Sequence, residues 1–182
     1  MHRSVWTKGY SQAELDRAQQ RYELDFPPDL MALWLDRRLV YGHDLNNEAA
    51  IRRALAWPLE GLLFDVEEGF LWWPEWGERP ASPQHRAEVL RFVIAGAPKL
   101  VPLYSHRYMP ASPAQSGNPV FSVYQSDVIY YGSDLENYLE REFGDRNTPL
   151  GEPLRQIPFW SELADRFGQD NWWPPSVTNS PP

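Results

Sequence analysis

Val120-Phe121-Ser122-Val123-Tyr124-Gln125-Ser126-Asp127-Val128-Ile129-Tyr130-Tyr131, followed by Gly132-Ser133-Asp134-Leu135-Glu136, joins two structural signals without a gap. Two β-branched and aromatic runs flank the polar Gln125-Ser126-Asp127, which is the pattern of a hairpin with a three-residue connection. Ser133 and Glu136 then stand at capping-box spacing. Leu135, Tyr138, Leu139 and Phe143 recur at helical period until Gly144. An antiparallel pair that feeds directly into a helix predicts an α+β fold with a central, mostly antiparallel sheet flanked by helices.

Working towards the N-terminus, Leu100–Tyr104 is a strand whose Pro102 suits a sheet edge. Pro110, Pro113 and Pro119 make residues 109–119 a loop. Ser82-Pro83 opens a helix with Ala87, Leu90 and Ile94 facing inward and Gly96 closing it. Phe70-Leu71-Trp72-Trp73 is short, apolar and aromatic, and predicts a strand. Leu59, Leu62, Leu63 and Val66 form a helical stripe ending near Gly69, with LLFDV as a strand the alternative. Trp57-Pro58 separates that stripe from a helix capped by Asn46 or Asn47 and running through Ile51 and Leu55. Further back, Asp29 caps a helix carrying Leu30, Leu33 and Trp34 and ending at Gly42. Ser11 and Glu14 form the capping box of the first helix, with Leu15, Ala18 and Tyr22 on one face.

Residues 1–9 read as a loose lead-in, residues 10–144 as one domain, and residues 145–182 as a C-terminal extension. In that extension a polar linker precedes a short amphipathic helix built on Phe159, Trp160, Leu163, Ala164 and Phe167. The expectation beyond it is that Trp172 and Trp173 dock on the body and that the last six residues are disordered.

With 17 basic and 25 acidic side chains the formal net charge is −8. That balance argues against nucleic acid, whose phosphates need a basic face. There is no cysteine, which excludes disulfides, thiolate metal sites and cysteine nucleophiles. His2, His43, His85 and His106 have no ligand spacing, so neither metal nor cofactor is expected. No apolar run reaches membrane-span length, and a soluble, cytoplasmic protein with no membrane partner is expected. Phosphate loops, dinucleotide fingerprints and hydrolase elbows are missing from the sequence, which leaves an enzyme without motif support.

Several segments taken in order resemble the SUKH superfamily, the Smi/Knr-type domain. They are Phe26-Pro27-Pro28-Asp29 between two helices, the run from Trp57 to Glu67, and Phe70-Leu71-Trp72 with Glu75-Trp76-Gly77. Leu103 to Pro110 and Gly117 to Gln125 are similar to one bacterial branch of that family. The resemblance covers about residues 10–144. It implies an α+β fold and binding rather than catalysis: many bacterial members are thought to be immunity proteins that neutralise a toxin, and fungal relatives are regulatory hubs.

Leu59 to Glu78 holds Glu60, Asp65, Glu67, Glu68, Glu75 and Glu78 and neither lysine nor arginine, together with Phe64, Phe70, Trp72, Trp73 and Trp76. Acids beside aromatic anchors suit a basic protein partner, such as a basic toxin domain. Trp72 and Trp73 are adjacent and cannot both enter one core layer. Glu67, Trp73, Glu75 and Trp76 are therefore the candidate binding residues, joined by His106 and Arg107 where a strand meets a loop. The same carboxylates and tryptophans allow a second reading, a small carbohydrate-active enzyme or sugar-binding protein using Glu67, Glu68 or Glu75. Ser105 and His106, as neighbours in an extended segment, should diverge rather than pair.

Overall fold

The computed structural model of the chain describes residues 5–167. Its centre is an antiparallel sheet of β3 (Leu100–Tyr104), β4 (Arg107–Pro110), β5 (Val120–Tyr124) and β6 (Asp127–Gly132), in that spatial order. Pro102 lies on the edge strand, where a missing N–H does no harm. Side chains alternate across this sheet. Val101, Leu103, Met109 and Val120 join Leu15, Leu30 and Tyr138 in one core. Leu100, Tyr108, Phe121, Val123 and Val128 join Leu62, Leu90 and Trp160 in a second. The first core belongs to α1 (Gln12–Tyr22), α2 (Pro28–Asp36) and α5 (Leu135–Phe143). The second belongs to α4 (Pro83–Ala95), α6 (Trp160–Phe167) and the later turns of α3 (Glu48–Glu68). The fold is α+β, with the sheet between two layers of helix, as the sequence predicts.

α3 differs from expectation. It is one helix of 21 residues that runs straight through Pro58. Ile51, Ala54, Pro58, Leu62, Asp65 and Val66 are its buried residues, and their spacing stays in phase across the proline. Proline removes the N–H that would bond the carbonyl four residues back. That carbonyl, on Ala54, accepts instead from the Tyr108 hydroxyl at 2.8 Å. A buried sheet residue thus replaces the lost helical donor.

Other corrections are local. Trp6–Lys8, expected as lead-in, is β1 and pairs with β2 (Arg37–Leu39), which takes up the chain where α2 was expected to continue. Arg107–Pro110, placed partly in a loop, is β4, paired on both sides. The hairpin tip has two residues rather than three, because Tyr124 pairs with Asp127 and Gln125 adopts φ 58°. Buried Asp65 fastens that tip by accepting from Ser126 N at 2.7 Å and Ser126 Oγ at 2.5 Å. Gly61 lets α3 approach it, since a Cβ there would sit 2.9 Å from Gln125 Cα. α5 is capped by Asp134, whose Oδ1 accepts from Asn137 N, and not by Ser133. The Ser11–Glu14 box on α1 forms as expected. Trp172 and Trp173 lie outside the described residues.

Candidate functional site

The acidic, aromatic segment begins on α3 and turns at Gly69, whose φ of 84° is the left-handed cap that glycine supplies freely. Residues 70–73 are not a strand. They run on without a partner strand and Pro74 starts a single 3-10 turn, Pro74–Trp76. Alternation holds nonetheless: Leu71 and Trp73 enter the second core, and Trp72 stays half-buried with its Nε1 donating to Gly77 O.

Trp73 is the centre of an aromatic cluster. Its ring lies 5.1 Å from Trp76 and 5.5 Å from Phe159, and Trp72 packs edge-on against Trp76 at 5.4 Å. Its indole Nε1–H is buried with no acceptor among the described residues. Arg166, in the last turn of α6, places its guanidinium 4.2 Å from the centroid of the Trp73 ring. The same guanidinium donates to Glu75 Oε1 at 2.8 Å. Beside it opens a crevice of about 300 Å³ bordered by Trp73, Glu75, Trp76, Phe159, Glu162 and Arg166. The Glu75 carboxyl is held below its ordinary range, first by its own backbone N–H and then by Arg166. An ionised carboxylate of this kind cannot serve as the protonated general acid of a glycosidase.

Three of the sequence-predicted residues, Trp73, Glu75 and Trp76, therefore share one site. Glu67 belongs to a neighbouring but different arrangement. Its Oε1 accepts from Arg86 at 2.8 Å, and Arg86 is buried and also donates to Pro80 O and Ala81 O. Arg79 donates to Val66 O at the end of α3. Together these arginines fold the chain after the 3-10 turn back onto α3, so Glu67 is first a structural partner.

His106 and Arg107 are not brought to this site. Tyr108 enters the second core, so strand alternation turns Arg107 towards the opposite face, where α5 lies. There its Nε donates to Glu142 at 3.0 Å, its Nη1 donates to Ser122 Oγ, and its guanidinium stacks 3.7 Å from the Tyr131 ring. His106 sits at the β3–β4 tip. Ser105 takes φ 50°, which curls the tip and brings Ser105 Oγ within 3.0 Å of His106 Nδ1, against the expected divergence. Burial, then the Arg107 charge, holds the imidazole below its ordinary range. The loop after β4, residues 111–119, is pinned by Asn118, whose Nδ2 donates to Pro110 O and Pro113 O.

Arg166, Phe159 and Glu162 are the site residues that sequence reading missed. The Glu75–Arg166 pair spans 91 positions. The amphipathic helix was legible, but nothing in it names its partner. Phe64, on α3, and Phe70, just after its end, are each about half exposed. Among the described residues no helix is long and apolar enough to cross a membrane, and no group of three His, Cys, Asp or Glu could hold a metal. Comparison with protein-family models, curated proteins and solved structures returned no match.

Proposed function

We propose that this protein is a non-enzymatic, SUKH-type binding module that works in the cytoplasm by covering a basic site on a partner protein, as a toxin-neutralising immunity protein or a regulatory adaptor does. One observation carries the reading. Glu60, Phe64 and Glu68 recur at four-residue spacing on one exposed face of α3, with Phe70 half exposed just beyond its end, and neither of these two acids has an ion-pair partner among the described residues. A large exposed apolar side chain flanked by unpaired like charges suits a surface that is covered by a partner of opposite charge. The ordered segments from Phe26 to Gln125 and the sheet between helices support the family assignment. The carbohydrate reading has less support, because Glu75 is paired to an arginine and Glu67 to another.

The test reverses Glu60 and Glu68, whose side chains are exposed and make no hydrogen bond or ion pair among the described residues. Tagged wild type and Glu60→Lys/Glu68→Lys are used to capture partners from host lysate, at low and high salt. A basic protein held by wild type, weakened by salt and lost by the reversal is the expected result. Capture that ignores both the reversal and the salt sinks the reading.

A further inference from the structure

The slot between the Trp73 ring and Glu75, at the rim of the crevice, is already occupied by a group of the chain itself. Arg166 makes the two contacts by which proteins recognise a guanidinium: a cation–π contact with an indole, at 4.2 Å, and a charge-assisted bond to a carboxylate, at 2.8 Å. Neither contact is deeply buried on the ionic side. The Arg166 side chain is 34% exposed and that of Glu75 is 63%. Exposed pairs of this kind are weak and exchange readily with water or a competitor. α6 does not depend on the arginine for its place, since Trp160, Leu163 and Ala164 bury the helix against the second core. The side chain can therefore leave while the helix stays.

What it would leave behind has a definite chemistry. Trp73 offers a flat ring, Trp76 and Phe159 wall the crevice, and among the described residues Glu75 and Glu162 border it with two carboxylates against the one cation of Arg166. A lysine ammonium is a strongly hydrated point charge and gains less from such a slot than a planar fork does.

We propose that the slot between Trp73 and Glu75, at the rim of this crevice, is a guanidinium-recognition site, that Arg166 occupies it in the free protein, and that an arginine of a basic partner takes its place. The proposal rests on the reading of the acidic, aromatic face as the binding surface. It adds the residue type that the partner must present and a competitor inside the chain. An internal occupant present about nine-tenths of the time lowers apparent affinity roughly tenfold, and removing it restores that factor.

The experiment titrates acetyl-Gly-Arg-Gly-amide and its lysine counterpart into the full chain. Binding is followed by indole N–H shifts of 15N-labelled protein. Wild type, Arg166→Ala, Arg166→Gln and Arg166→Ala/Glu75→Gln are compared, with melting curves to show that each is folded. The expected result is that both single variants bind the arginine peptide on the order of tenfold more tightly than wild type. The lysine peptide gains little, and the Glu75→Gln change cancels the gain. Equal binding by wild type and the Arg166 variants overturns the proposal, as does equal preference for the two peptides. Because the peptide assay needs no partner, its failure is distinct from failure of the binding-module reading. A partner captured through Glu60 and Glu68 but indifferent to Arg166 and Glu75 leaves the module standing and removes only the guanidinium site.

Discussion

Pro58 and Tyr108 form a pair in which one residue creates a defect and the other repairs it. The proline leaves Ala54 O without its helical donor, and Tyr108 Oη, buried in the second core, supplies one. A buried carbonyl left unsatisfied costs about 1–3 kcal/mol. Tyr108→Phe should therefore destabilise the protein by about that amount. In a Pro58→Ala background, where the backbone N–H returns, the same change should cost clearly less. Urea unfolding of the four members of this cycle measures the coupling. Equal costs in both backgrounds would mean that the hydroxyl does not stand in for the lost donor. Glu67 calls for a second measurement at this scale. Replacing it by lysine puts a second cation against the buried Arg86, so Glu67→Lys should lose about 2 kcal/mol of stability, a value tempered by the half-exposed glutamate. Melting of Glu67→Lys beside Glu68→Lys, which should be near neutral, checks it. His106 and Arg107, sensible candidates at a strand end, were misplaced by one fact. Strand alternation points Arg107 to the sheet face opposite Trp73, and that follows only once Arg107–Pro110 is known to be a strand.

At the scale of elements, the stripes and three of the five expected caps were the legible part; Asp29 lies inside the first turn of α2, whose N-cap is Pro27, and Asp134 takes the place expected of Ser133. The Ser11 box, the Asn47 cap and the Ser82 cap each sit where side-chain chemistry demands. What sequence periodicity missed were three- and four-residue strands, β1, β2 and β4, which are too short for alternation to register and take their identity from their neighbours. The break expected at Pro58 failed for a related reason: a tertiary donor overrode a local prohibition. α1 offers a pH test of its cap. The Glu14 carboxyl is drawn down to about 2, chiefly by the Ser11 N–H, then by the Ser11 hydroxyl and the Asn46 amide. A carboxyl lowered on folding adds stability above its ordinary value of 4.5 and loses it as the pH falls towards 2. Glu14→Gln should therefore lower the denaturation midpoint at neutral pH, and the gap to wild type should narrow steadily below pH 4.5. A gap that stays constant down to pH 2 would show that the cap does not act through the ionised carboxylate.

For the whole molecule, the sheet divides the surface. One face carries α5 with Arg107 and Glu142, and the other carries α6 with the Trp73 crevice. The fold class was readable because the hairpin and following helix are contiguous in sequence. The site was half readable, because its acidic aromatic segment is contiguous and its closing arginine is not. The Tyr108–Ala54 bond spans 54 positions, and it joins a helix backbone to a sheet side chain by hydrogen bonding as well as by packing. An ordinary helix unravels from its ends, turn by turn. Here the middle turns of α3 are completed by β4, so the two should open as one cooperative unit. In native-state hydrogen exchange, amides around Pro58 should acquire the same opening free energy as those of β4 and β5, while the first turn of α3 exchanges independently by fraying. If the middle of α3 exchanges as fast as its first turn, the sheet does not hold the helix shut.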